Sequence, residues 1–164
     1  MSPRAAARLA SLGFEQVYDY VAGKADWGAA GLPLEGTSGS ETRAGSHVRA
    51  DMPTCQLGER LSAVQERAEQ AGWDTCFVLD DGGVVLGRLG RAALRRDDDV
   101  PIEAAMTAGP STVRPSARLE AMVKRMRERD LTNLPVTTSD GRLVGLLLRE
   151  DAERALAQLG RDHE

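Results

Sequence analysis

The last two-thirds of this chain repeats itself. At a constant offset of 58 residues, Thr54 superposes on Thr112, Arg60 on Arg118, Leu61 on Leu119, Ala63 on Ala121 and Arg67 on Arg125. Without a gap the match runs on through Val78 and Val136, Gly83 and Gly141, Gly87 and Gly145, Leu89 and Leu147, and Arg91 and Arg149. Ten identities over 39 positions are few, but they fall at apolar, turn and helix-start positions, where a duplicated supersecondary unit needs them. Two copies do not make a solenoid, whose stability comes from a longer stack of neighbours. The duplication predicts two similar half-domains packed on each other, with clefts between them.

Each copy has the same predicted order of elements. The first opens after Pro53 with an extended piece at Thr54–Leu57, then a helix with Leu61, Val64, Ala68 and Ala71 on one face, closed by Gly72. Thr75–Leu79 and Val84–Leu89 read as strands joined by a turn at Asp80–Gly83, whose residues accept positive φ. The second copy has Thr112 and Val113 extended, a helix striped by Leu119, Met122, Val123 and Met126, a strand at Leu134–Thr137, a turn at Ser139–Gly141 and a strand at Leu143–Leu148. A closing helix over Glu150–Leu159 buries Ala152, Ala155, Leu156 and Leu159, with Asp151 in its first turn, where a carboxylate suits the positive end of the helix dipole. Ahead of the repeats, Ser2–Leu12 reads as a helix ended by Gly13, Gln16–Tyr20 as β-prone, and Lys24–Ala30 as a second helix. Gly36–Asp51 is almost free of large apolar residues and reads as a flexible linker.

Composition narrows the function classes. With 164 residues, 41% hydrophobic and 28% charged, the chain is an ordinary globular protein, and a net charge of -4 gives no general attraction to nucleic acid or anionic membranes. Only 4% of residues are aromatic, too few for a base-stacking platform. No apolar run reaches the roughly 20 residues of a membrane span and no signal-peptide core is evident, so a cytoplasmic location is expected. Cys55 and Cys76 form neither a disulfide framework nor a zinc pattern and read as buried thiols; His47 and His163 stand apart from other ligands, so no metal site is expected. Arg91, Arg95 and Arg96 ahead of Asp97–Asp99 read as a solvated cluster, or as an anion-binding rim on the cleft between repeats. Lys124, Arg125, Arg127 and Arg129 crowd one helix, where pairs such as Glu120 with Lys124 account for them.

The tandem β-α-β-β-α unit, led into its second copy by Ile102–Thr107, resembles a pair of cystathionine-β-synthase (CBS) domains, an α+β Bateman-type module. The second copy carries the better match: an extended start at Thr112, the apolar-Pro-Val strand Leu134-Pro135-Val136, an Asp-Gly turn and a Gly-apolar-apolar run into an acidic helix start. In the first, Cys76-Phe77-Val78 replaces that triplet and the last helix is truncated. The resemblance implies CBS motifs at 52–96 and 100–160, and adenosyl ligands bound in clefts between them. It assigns Asp151 to the ribose hydroxyls and Thr112, Val113, Leu134, Pro135 and Val136 to the adenine wall. The position of the family's phosphate-binding Ser or Thr holds Leu148, leaving phosphate to backbone amides or Arg149. In the first copy the Asp and Ser/Thr positions are Ala93 and Gly90, so at most one site is complete.

Residues 1–36 resemble something else. Their helix, the Gly13-Phe14-x-x-Val17-Tyr18 strand, the helix bearing Trp27 and the Gly31-Leu32-Pro33 exit are similar to the C-terminal part of a rhodanese-like domain, a partial α/β segment joined by the linker at 37–51. The catalytic cysteine of that family precedes the matching region, so sulfur transfer is not expected. Either the segment is a shortened relic or the start codon is set late, and in-frame DNA upstream distinguishes the two. The CBS resemblance implies a non-enzymatic regulatory module with no required cofactor. AMP, ADP, ATP or S-adenosylmethionine is the expected ligand class, a homodimer the expected assembly and a regulated protein the expected partner. A ligand-free dimerising scaffold is the alternative.

Overall fold

The computed structural model describes residues 2–18, 27 and 42–162. Its elements are α1 (Ser2–Ser11), β1 (Val48–Arg49), β2 (Thr54–Gln56), α2 (Leu61–Gln70), β3 (Cys76–Leu79), β4 (Val85–Leu89), α3 (Ile102–Ala105), β5 (Thr107–Ala108), α4 (Leu119–Glu128), β6 (Asn133–Thr137), β7 (Leu143–Leu148) and α5 (Arg149–Asp162). One sheet has the order β2-β3-β4-β5, with β2 parallel to β3 and the other pairs antiparallel; the second has the order β1-β7-β6 and is antiparallel. Val113 joins the second sheet by a parallel bridge to Val136, as Cys55 pairs with Val78 in the first. The α+β half-domains expected from the duplication are present in both copies.

The repeated residues are those the packing cannot vary. Leu61 and Leu119, Val78 and Val136, and Leu89 and Leu147 are all fully buried, each pair holding the same place in its own core. Gly83 and Gly141 both take positive φ, +81° and +86°, in the hairpin turns, a conformation costly to residues with a Cβ. A third cluster joins the repeats: Met52, Phe77 and Leu146 are buried together, flanked by Trp73, Leu79, Val85, Leu143 and Leu148. Beside it the two hairpins bond to each other across a local twofold axis. Val85 N–H donates to Gly141 O and Leu143 N–H to Gly83 O, both at 3.0 Å.

The repeats also exchange their leading segments. β1, which precedes repeat 1, pairs with β7 of repeat 2 (Val48 opposite Leu147, Arg49 opposite Leu146), and β5, which precedes repeat 2, pairs with β4 of repeat 1 (Thr107 opposite Arg88). Leu61 N–H donates to Val100 O and Leu119 N–H to Thr42 O, both 2.9 Å, under the same offset of 58. The flexible linker expected over 37–51 therefore needs correction from residue 42 onward, where Ala44–His47 forms a 3-10 turn that buries Ala44 and β1 extends a sheet. Backbone hydrogen bonds hold it there, with only Ala44 and Val48 reaching the repeat 2 core. Gln16–Tyr20 is also corrected over its described part: residues 16–18 form no strand, and Tyr18 is exposed. No strand among the described residues pairs with them. Trp27 has helical backbone, while the remainder of the helix expected at Lys24–Ala30 lies outside the described residues.

Cys55 and Cys76 are both buried and free, as expected. A hydrogen bond shared with Cys55, together with burial, pushes the Cys76 thiol up. Lys124 pairs with Glu128 at 3.9 Å rather than with Glu120. Arg60 starts α2 without a side-chain cap; instead Asp99, from the acidic linker, accepts from Ser62 N–H and from Arg60 Nε, both at 3.0 Å. The Ser62 amide first, then Arg60, holds the Asp99 carboxyl below its ordinary value. A depressed folded-state pKa contributes stability above the unfolded pKa that is lost as the pH falls through the folded one. Asp99→Ala is accordingly expected to lower the melting temperature at neutral pH and to flatten its fall below about pH 4; equal slopes in the two proteins would rule out this contribution.

Candidate nucleotide cleft

A cavity of about 520 Å³ lies between the repeats, lined by Asp74, Arg88 and Arg91 from repeat 1 and by Thr132, Asn133, Leu148, Arg149 and Glu150 from repeat 2. Its walls come in related pairs, since the offset places Asp74 on Thr132 and Arg91 on Arg149. Arg91 is held by Asp74 through Nε at 3.1 Å and Nη2 at 2.7 Å. Arg149 starts α5, its N–H bonded to Thr132 O at 2.9 Å and its Nη1 3.4 Å from Asp130. The positive end of the α5 dipole thus meets the cavity with a guanidinium beside it.

Arg88 differs from its two neighbours. On β4 it is half-buried, donates from Nε to Thr75 Oγ1 at 2.9 Å and lies 6.0 Å from the Phe77 ring centroid. It has no carboxylate within ion-pair distance among the described residues. Burial pulls its guanidinium below the ordinary value, with Asp74 opposing that shift. A cation partly stripped of water and facing a cavity is stabilised by an incoming anion, and guanidinium geometry suits phosphate oxygens. Three guanidiniums against the carboxylates of Asp74 and Glu150 leave the lining net positive.

The residues expected to hold a ligand fall into two groups. Arg149 lines the cavity, and so does Leu148, the position where a hydroxyl was expected. Thr112 and Val113 lie beside β6 as expected: Val113 N–H donates to Pro135 O at 2.9 Å, Thr137 N–H to Val113 O at 2.9 Å, and Thr137 Oγ1 to Thr112 Oγ1 at 2.8 Å. Val113, Leu134 and Val136 are built into the core of repeat 2, and Pro135 is buried too. Asp151 lies in the first turn of α5, bonded to Arg154 at 3.0 Å; the Arg49 guanidinium is raised chiefly by its hydrogen bond to Asp51, with Asp151 adding least. Thr112, Val113, Leu134, Pro135, Val136 and Asp151 do not line this cavity.

The CBS domain family matches residues 99–158. A chloroplastic CBS domain-containing protein of Arabidopsis thaliana, CBSX2, is 39% identical over 59 residues, or 36% of this chain, and the match spans only 25% of that relative's length. The structure of CBSX2 in complex with AMP superposes on 72% of this chain and 98% of its own, with a TM-score of 0.64 and 23% identity. The fold is that of a CBS domain pair. The cytosolic domain of the Mg2+ channel MgtE, in complex with ATP, shares it over 72% of this chain and 51% of its own, with a TM-score of 0.63 at 22% identity. So does the CBS domain pair of MJ0100, in complex with 5′-methylthioadenosine and S-adenosyl-L-methionine, over 72% and 98% of the two chains, with a TM-score of 0.61 at 16% identity. No helix among the described residues is long and apolar enough to cross a membrane, and no cluster of metal-ligating side chains occurs among them.

Of the residues that line the cleft, Arg88, Asp74, Thr132 and Asn133 were not expected from the sequence. Arg88 is an arginine between Gly87 and Leu89 in an otherwise apolar returning strand, which marks it only once the strand is known to border a cleft. Of the arginines weighed as an anion-binding rim, Arg91 lines the cleft, whereas Arg96 is bound to Asp98 at 2.6 Å.

Proposed function

We propose that this chain is a non-enzymatic regulatory module. Its CBS pair binds an adenosine nucleotide in the cleft between the repeats and passes the change in packing to a protein partner. The reading is carried by Arg88, a half-buried guanidinium without a carboxylate partner among the described residues, which faces a cavity that Arg91 and Arg149 also line. Phosphate takes the place at these three groups that the family's hydroxyl would share, because Leu148 cannot donate. The ribose falls to Asp151, which follows the cavity-lining Glu150 but lies outside the lining itself, so accepting a cis-diol requires its carboxylate to leave Arg154 and turn toward the cleft. A net positive lining favours phosphorylated ligands over the cationic sulfonium of S-adenosylmethionine. AMP, ATP and S-adenosyl-L-methionine in complexes of proteins with this fold support the adenosyl class.

A ligand that binds only the folded state raises the melting temperature, by an amount set by its concentration over its dissociation constant. A thermal-shift series with AMP, ADP, ATP and S-adenosylmethionine is expected to show a saturable rise for the phosphorylated ligands, reduced in Asp151→Ala. Absence of any shift would favour the ligand-free scaffold. That second reading has its own support in Val113, Leu134 and Val136, whose side chains are already committed to the core.

A further inference from the structure

In repeat 1 the loop between β2 and α2 is closed by carboxylates of the chain itself. Glu59 accepts from Gln56 N–H at 2.7 Å and from Arg67 Nη2 at 2.6 Å, and Glu103 accepts from Gly58 N–H at 2.7 Å. Arg67 reaches this loop from α2 and also donates through Nη1 to Thr54 O at 2.7 Å. Its hydrogen bond, more than any other contact, holds the Glu59 carboxyl below the ordinary value.

The offset of 58 carries the donors of this loop into repeat 2 but not the acceptors. Arg67 becomes Arg125, and the amides of Gln56 and Gly58 become those of Arg114 and Ser116, whereas Glu59 becomes Ala117 and Glu103 becomes Gly45. The two loops are held alike: Ala44 N–H donates to Ala117 O at 2.8 Å as Ile102 N–H does to Glu59 O at 3.0 Å, and Ala117 N–H to Arg114 O as Glu59 N–H does to Gln56 O. Position 45 has no room for a carboxylate side chain, because a Cβ there would stand 2.7 Å from Pro115 Cβ. Arg114 N–H and Ser116 N–H therefore have no hydrogen-bond partner among the described residues. Arg125 has its Nε buried without a partner. Its neighbours on α4 are paired, Lys124 with Glu128 and Arg127 with Glu153, but Arg125 is in no ion pair among the described residues.

We propose that this loop of repeat 2 docks an acidic peptide segment of a protein partner, whose carboxylates take the places at Arg114 N–H, Ser116 N–H and Arg125 that Glu59 and Glu103 fill in repeat 1. A carboxylate accepts from amides and a guanidinium at once, and such charge-assisted bonds are the strong ones. Repeat 1 uses two carboxylates here, so a segment with neighbouring acidic residues fits better than a single acid. Arg43, bonded to Ser116 O at 3.1 Å, and the Arg114 side chain add positive charge at the rim. None of these residues lines the nucleotide cleft, so failure of the docking site would leave the nucleotide reading standing.

The test is an NMR titration of the nitrogen-15-labelled full chain with an acetylated tetraglutamate peptide. Saturable shifts of the Arg114 and Ser116 amides are expected, weakened at least about tenfold in Arg125→Met, as for loss of a charge-assisted hydrogen bond. Ala117→Glu restores the acceptor that repeat 1 has, so it is expected to abolish peptide binding and to raise the melting temperature. Inorganic phosphate is titrated in parallel. Shifts of these amides with phosphate but not with tetraglutamate would assign the loop to a free anion and overturn the peptide. No shift at either amide, equal affinity in Arg125→Met, or binding that persists in Ala117→Glu would each overturn the proposal as well.

Discussion

Phe77→Ala is expected to destabilise this protein by about 3–5 kcal/mol, the usual range for deleting a fully buried aromatic side chain. Phe77 is completely buried, and it lies in the cluster between the repeats with Met52 and Leu146 rather than in either repeat's own core. The cavity left by its removal would loosen the packing of one half on the other while Leu61, Val64 and Leu89, or Leu119, Val123 and Leu147, keep each half folded. The variant should therefore unfold in urea at a lower midpoint and with a broadened, less cooperative transition. The ring also sits beside Arg88, so a stabilised fraction of Phe77→Ala should bind nucleotide more weakly than wild type. A loss below about 1 kcal/mol would mean that the interface between the repeats carries little of the stability.

The second large effect separates two glycines that the sequence makes equivalent. A Cβ on Gly145 would stand 2.7 Å from Arg49 O and 2.8 Å from Val48 Cβ, so alanine there forces the backbone of β1 off β7. The same atom on Gly87 would meet Met106, with Sδ at 2.5 Å, a flexible thioether that can turn aside. Gly145→Ala is expected to cost about 1–3 kcal/mol, in the range of an overpacked core. Gly87→Ala should cost less than about 1 kcal/mol. Chemical denaturation of the two variants side by side gives the comparison, and equal losses would contradict the exchange of leading segments as the reason for these glycines. Displacing β1 also moves Arg49 from its place 5.2 Å from the Trp73 ring centroid, so Trp73 fluorescence should change in Gly145→Ala alone.

Much of the fold was legible because it depends on periodicity. Leu119, Met122, Val123 and Met126 announce a helix face by spacing alone, and the turn at Asp80–Gly83 announces itself by residues that accept its dihedral angles. The leading segment before repeat 1 was not legible. Between Gly36 and Asp51 only Val48 is a large apolar residue, and the backbone bonds from β1 to β7 leave no trace in side-chain pattern. The adenine wall shows the opposite difficulty. Leu134-Pro135-Val136 is apolar both because a strand must fill the core and because a ligand needs a wall, and in a strand alternate residues face opposite sides. The structure sends Leu134 and Val136 to the core. Arg149 was named through the resemblance, as a stand-in beside Leu148, whereas Arg88 lies in mid-strand and becomes visible only when the two repeats are brought together.

Isothermal titration calorimetry of the full chain with ATP, in wild type and in Arg88→Gln, addresses the cleft itself. Saturable binding in wild type is expected, weakened roughly tenfold to a hundredfold in the variant, as for loss of a charge-assisted hydrogen bond of about 1.5–3 kcal/mol. The fold should be unchanged, because Gln keeps a donor for Thr75. No binding in wild type, or equal affinity in the two proteins, would contradict a phosphate-accepting cleft between the repeats.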